Sequence, residues 1–177
     1  MTTESLDTLV RDLYPRVKRF LRNKLPEPDC YDQANEVIKV FLSANLSQVA
    51  DPRAYLWGIA RMKVLQSLQK RRPTQQFDST LHSIADLGTS LSARLDRRNM
   101  LLNAMRTLPL DHQIAFELRH VEQLELKEVA DAMEVSLATV KRYIAAAREE
   151  LATALGSADQ PLSNRDTVAI ADAYRNS

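Results

Sequence analysis

The stretch 124–155, LELKEVADAMEVSLATVKRYIAAAREELATAL, constrains the fold more than any other part of this chain. Leu126, Val129, Ala130 and Met133 recur at the spacing of one helical face, and Val140, Ile144, Ala147, Leu151 and Leu155 resume that period after a break. The break, 133–136, is too short to let the two helices lie antiparallel, so they must cross steeply. Ser136 supplies a capping hydroxyl at the start of the second helix. Such a pair is a helix-turn-helix, whose second helix presents its early residues to a DNA major groove. Thr139, Lys141, Arg142 and Arg148 lie off the apolar stripe or at its edge, with no acid nearby before Glu149. A solvated helical hairpin with ordinary surface cations is the plain alternative, and the stretch by itself leaves it open.

The rest of the chain is read as helical too. Only three glycines and few strand-like runs occur among 177 residues, of which 45% are hydrophobic. No apolar run is long enough to span a bilayer and no secretory signal opens the chain, so a cytoplasmic protein without membrane insertion is expected. A single cysteine, Cys30, excludes an internal disulfide and reads as a small helix residue. The net charge of +1 hides segregation. Residues 10–24 carry six basic groups against Asp12 alone, residues 27–36 carry Glu27, Asp29, Asp32 and Glu36 with no base, and residues 61–72 carry five bases with no acid. Basic faces suit phosphates, and an acidic face suits a basic partner.

Taken in order, Leu6, Leu9, Val10, Leu13, Val17, Phe20 and Leu21 predict a first helix to about Lys24, kinked or restarted at Pro15. Pro26 and Pro28 end it, and Asp29 is expected to cap a second helix with Ala34, Val37, Ile38 and Phe41 inward. After a loop at 43–51, Asp51-Pro52 starts a third helix to about Arg71, with Leu56, Ile59, Ala60, Val64 and Leu68 inward. Residues 74–90 lose periodicity and read as a flexible linker, with one docking turn at Leu81, Ile84 and Leu87. A fourth helix is predicted over 91–107 and a fifth over 110–121, ahead of the helix-turn-helix. Gly156 marks the stop, and 156–177 reads as a polar tail, disordered or weakly helical around 167–174. The expectation is an all-α protein of two small helical lobes, three helices in 1–73 and four in 91–155.

Three segments carry a resemblance. DCYDQANEVIKVF at 29–41 is similar to a D-x-E-D-x-x-Q-E-x-F segment, and DPRAYLWGIAR at 51–61 to a (P/F)RAWLxxIAR helix. Residues 108–151 resemble LPxxxRxxFxLRxxEGLxxxEIAxxLGVSxxTVKxxxxRAxxxL. In this order and at these separations they resemble the extracytoplasmic-function (ECF) sigma factors of the sigma-70 family, over about residues 5–155. PRAYL and TVKRY are especially close to the ferric-citrate, iron-starvation subgroup.

The resemblance implies a division of labour. Residues 1–73 correspond to sigma region 2, 91–155 to sigma region 4, and 74–90 to the linker that threads the polymerase cleft and RNA exit channel. Asp29, Asp32, Asn35 and Glu36 fall on the positions that meet the clamp helices of the largest subunit of core RNA polymerase, with Tyr31 standing where Glu is usual and Asn35 where Gln is usual. The flap of the second-largest subunit and an anti-sigma factor are further implied partners. Tyr55, Trp57, Lys63, Gln66, Lys70, Arg71 and Arg72 fall where the −10 element is gripped as single strand, which needs stacking surfaces and cations. Tyr55 and Trp57 read equally well as core aromatics, and Met62 stands where many members carry Asn. Ser136, Thr139, Lys141, Arg142 and Arg148 fall where the double-stranded −35 element is read. Ala145 and Ala146 leave that surface small. Glu134 and Gln123 replace turn glycines, at a cost of order 1 kcal/mol each.

Two other classes compete with this reading. Glu117 and His120 form one E-x-x-H spacing, but a helical di-iron site needs two such motifs and two further glutamates. His82 and His112 have no matching partner, so no catalytic residue, metal or cofactor is expected. A helix-turn-helix regulator binding operator DNA without polymerase is the alternative function, and it leaves the acidic and basic helices of the first lobe unexplained.

Overall fold

The computed structural model describes residues 3–27, 29–71, 91–156 and 162–175, with side chains for 8–27, 29–70, 99–156 and 162–175. The expected linker, the docking turn at Leu81, Ile84 and Leu87, and Arg72 lie outside the described residues. Among those described, the chain is all helical. No helix there is long and apolar enough to cross a membrane.

Helix α1 spans Thr3–Arg22 and runs through Pro15 without the expected restart. Pro15 is exposed, so the carbonyl that its ring deprives of a partner faces water. Helix α2 spans Asp29–Ser43, with Asp29 as its first residue rather than the cap before it. A short 3-10 turn, Leu46–Gln48, interrupts the following loop. Helix α3, Pro52–Arg71, starts as the sequence predicts: one Asp51 carboxylate oxygen accepts from the backbone N–H groups of Arg53 at 2.8 Å and Ala54 at 3.1 Å.

Helix α4 spans Leu91–Thr107 and α5 spans Leu110–Phe116. The fifth helix does not stay α-helical to Val121. It widens into a π turn, Glu117–Val121, closed by the Glu122 N–H donating to the Glu117 carbonyl at 3.0 Å. Gln123 then takes a left-handed φ of 58° and ends the segment. Helices α6, Leu126–Met133, and α7, Leu137–Ala154, follow.

Of the two readings left open for the tail, disordered or weakly helical around 167–174, the structure gives the helix, longer and better buried than expected. Residues Asn164–Arg175 form a helix, α8, with Ile170 and Tyr174 fully buried. At its start the Ser163 hydroxyl accepts from the Asp166 N–H at 3.1 Å. Its apolar face is hard to read from sequence, because Leu162, Ile170, Ala171 and Tyr174 are few and one of them is aromatic with a polar end.

The cores do not divide as the two lobes do. Leu13, Val17, Phe20 and Leu21 of α1, Cys30, Ala34, Val37 and Phe41 of α2, and Leu56, Trp57, Ala60 and Val64 of α3 form one end of a cluster. The same cluster continues without a gap into Ile114, Leu118, Val129, Met133 and Val140 of the second bundle. Helix α3 packs on α6 so closely that a Cβ at Gly58 would stand 3.4 Å from the Ala132 carbonyl oxygen. A second cluster joins Leu101 and Met105 of α4, Phe116, Val121, Ala147 and Leu151 to the buried face of α8. The two helical bundles are therefore pressed together, and α8 adds a fifth helix to the second.

Candidate nucleic-acid interface

The turn between α6 and α7 is three residues long, Glu134-Val135-Ser136. Glu134 sits at φ 55°, ψ 41°, the left-handed conformation expected of a position where glycine is usual. Ser136 caps α7, its hydroxyl accepting from the Thr139 N–H at 3.1 Å and lying 2.9 Å from the Thr139 hydroxyl. Val140, Ile144, Ala147 and Leu151 hold the inner face of α7 in the cores. That leaves Lys141 and Arg142 exposed, with Thr139 half-buried beside them. Arg148 is engaged elsewhere: its Nη2 donates to the Leu162 carbonyl at 2.6 Å.

On α3, Tyr55, Met62, Gln66 and Lys70 are exposed and follow one another at helical spacing, with Lys63 half-buried. The Tyr55 ring lies 6.3 Å from that of Phe41 and keeps 36% of its surface in solvent. Trp57 separates from this group. It is fully buried, edge-on to Phe20 at 5.3 Å between ring centroids, so in this arrangement it is a core aromatic with no face open to a base. Arg71 belongs to the last turn of α3.

On α2, Asp32 and Asn35 are exposed and Asp29 and Glu36 half-buried. Asn35 accepts from the Tyr14 hydroxyl at 2.9 Å, and Glu36 pairs with Lys39 at 3.3 Å. Tyr31, where an acid is usual, gives its hydroxyl to Glu27 at 3.0 Å and lies under the Lys18 ammonium, 4.3 Å from the ring centroid.

Residues 98–151, from within α4 to within α7, match the family described as sigma-70, region 4. The ferric citrate uptake sigma factor FecI of Escherichia coli (strain K12) is 28% identical over 157 residues, covering 84% of this chain and 90% of that protein. The chain carries a sigma-70 region 4, and α8 lies beyond the part that matches it.

What sequence reasoning missed in this chain is a polar knot between the bundles. The Glu122 carboxylate is fully buried and takes the Arg16 Nε at 2.7 Å and the Arg19 Nη2 at 2.8 Å. Its backbone carbonyl accepts from Arg16 Nη2 at 3.1 Å and Arg53 Nη2 at 2.6 Å. Beside it Glu117 forms a buried ion pair with Lys24, whose ammonium also caps the Phe20 carbonyl at 3.1 Å. Arg61 reaches Asp111 at 3.3 Å from α3 to α5. The basic run of α1 thus turns inward at Arg16, Arg19 and Lys24 to meet acids of the π turn. The available signal was the pair Glu117 and Glu122 in FELRHVEQL, spaced five apart, which places them on one side only when the helix widens.

The knot also disposes of the E-x-x-H pairing. Glu117 is committed to Lys24, while the His120 ring lies tilted against that of Phe116 at 4.6 Å between ring centroids. Burial, with Arg148 and Arg119 nearby, holds the His120 imidazole down at about 4.

Burial pushes the Glu117 carboxyl up to about 7, against the opposing pull of Lys24 and Arg19 and with a further push from Glu122. Burial likewise lowers the Lys24 ammonium from its usual value. Between 4.5 and 7 the folded chain therefore binds more protons at Glu117 than the unfolded chain does. The contribution of this group to stability is fully present below 4.5 and falls as pH rises through 7. A Glu117→Gln chain is expected to lack that fall, read as the urea midpoint at steps from pH 5 to 8. Parallel profiles for the two chains would show that Glu117 does not titrate in this range.

Proposed function

We propose that the chain is an alternative sigma factor of the ECF type, which binds core RNA polymerase, directs it to promoters by reading −35 and −10 elements, and promotes melting. The observation that carries this reading is the tight turn capped by Ser136, with Thr139, Lys141 and Arg142 at the open start of α7 inside the region 4 match. In this reading 1–73 serve as region 2 and 91–155 as region 4, joined by 74–90. Asp29, Asp32, Asn35 and Glu36 of α2 meet the clamp helices of the largest polymerase subunit, and region 4 meets the flap of the second-largest.

The roles within the two reading surfaces follow from chemistry. Tyr55 offers a half-open ring for stacking a base of the melted −10 strand, while Lys63, Gln66, Lys70, Arg71 and Arg72 track its backbone. Trp57 supports this surface from the core. On α7, Ser136 fixes the helix start, Thr139 and Lys141 approach bases or phosphates, and Arg142 spans the two acceptors of a guanine edge. Arg148 serves as a backbone anchor once it leaves Leu162. An anti-sigma factor is the regulatory partner expected of the group, in keeping with the likeness to a ferric citrate uptake sigma factor.

Copurification with core polymerase and transcription from a linear promoter fragment test the reading as a whole. A chain that binds operator DNA but never polymerase would be a plain helix-turn-helix regulator. Arg142→Ala tests the base contact. It is expected to cost about 1–3 kcal/mol on the preferred −35 sequence and much less on a scrambled one, measured over a promoter library. An even loss across all −35 variants would make Arg142 another backbone anchor.

A further inference from the structure

The arrangement of the bundles sets a geometric conflict with the function proposed above. Elements centred near −10 and −35 are separated by about 25 base pairs, or roughly 85 Å at 3.4 Å per pair. Helix α3 has 20 residues and is therefore roughly 30 Å long, and it rests directly on α6 of the helix-turn-helix. So closed a chain cannot lay both surfaces on one promoter. The shared core and the knot around Glu122 press the bundles together, and α8 adds contacts of its own to both.

We propose that α8 is an intramolecular clasp, which strengthens the closed arrangement and keeps Arg148 off the DNA-facing surface of α7. The residue before Ser163 takes the Arg148 guanidinium, through the Leu162 carbonyl at 2.6 Å. At its other end, Arg175 donates to the carbonyls of His120 at 3.1 Å and Val121 at 3.2 Å, at the end of the π turn. The carbonyl of Arg175 in turn accepts from Arg19 Nη1 at 3.0 Å, and Arg19 belongs to α1 of the other bundle. That same guanidinium grips Glu122. One segment therefore ties α7, the π turn and α1 together, seated by buried Ile170 and by Tyr174, whose hydroxyl accepts from Gln113 Nε2 at 2.7 Å. Region 4 as matched ends at residue 151, so the clasp is an addition to it.

The proposal rests on the assignment of α7 to DNA, and the test separates the two. The full chain is measured without polymerase, in its natural form and as Arg175→Ala, each with and without Arg148→Met. Binding to a labelled −35 duplex is titrated across salt, and energy transfer is read between dyes at Met62→Cys and Thr153→Cys, both exposed positions. Arg175→Ala is expected to bind several-fold tighter, with a log–log salt slope steeper by about one, as for one more phosphate neutralised. Its low-transfer population rises by a similar factor. Combined with Arg175→Ala, Arg148→Met removes the extra phosphate contact and returns the salt slope to that of the parent chain. Arg175→Lys, which keeps the charge and loses the grip on two carbonyls, shows the same shifts in smaller amount and serves if the alanine chain does not fold. Unchanged energy transfer and unchanged DNA affinity in the folded variants overturn the clasp. Opening without any DNA binding, before or after Arg142→Ala, leaves the clasp standing and overturns the assignment of α7 instead.

Discussion

A Glu122→Ala chain is expected to lose about 3–5 kcal/mol of unfolding free energy, the cost of stripping a buried charge of its partner. The Glu122 side chain is fully buried and those of Arg16 and Arg19 are 26% and 15% exposed, so two guanidinium groups would be left facing a void with little water. Glu122→Gln keeps the shape and one acceptor and is expected to lose less. Both Arg16 and Arg53 also hold the carbonyl of this residue, an attachment that the substitution does not remove. Urea unfolding of the two variants beside the parent measures the effect. A loss below about 1 kcal/mol would mean that these pairs behave as surface ion pairs.

The acidic face of α2 gives the other large effect. Asp32→Lys with Glu36→Lys is expected to lower affinity for core polymerase roughly a hundredfold or more, since two charges of a complementary interface are reversed together. The fold should not notice. Asp32 is exposed, and among the described residues Glu36 pairs with an exposed Lys39 in the same helix at 3.3 Å. Holoenzyme formation followed by native mobility or fluorescence anisotropy, with circular dichroism as the control, decides the matter. Equal affinity for the parent and the reversed chain would remove α2 from the polymerase interface.

Local signals in the chain were reliable where one residue does one job. Asp51 and Ser136 cap the helices they were expected to cap, and Glu134 and Gln123 take the left-handed conformation at the positions where they stand in for glycine. The inward faces of α2, α3 and α7 were legible because an apolar period of three and four has one structural meaning. What was not legible depends on partners far away in the chain. Arg16, Arg19 and Lys24 have the same local pattern whether they face solvent or Glu117 and Glu122, about a hundred residues later. Trp57 carries the same ambiguity, because a tryptophan suits a base-stacking surface and a core alike, and only the position of Phe20 resolves it. The tail was left open between disorder and a weak helix for another reason. Its helix is held by one short apolar edge and by the Arg175 and Arg148 contacts to carbonyls, which no side-chain pattern encodes.

The shared core has a consequence for how the chain is made. Helices α1–α3 are synthesised first, yet the cluster they begin is completed by Ile114, Leu118, Val129, Val140 and Ile144. At about 5–20 residues per second, translation from the end of α3 to Ile144 takes roughly 4–15 s. Through that interval the side of α3 destined for α6, around Gly58, stands uncovered on a half-made protein. Nascent chains halted shortly after residue 71 should therefore recruit chaperones that the same chains shed once residue 144 has emerged.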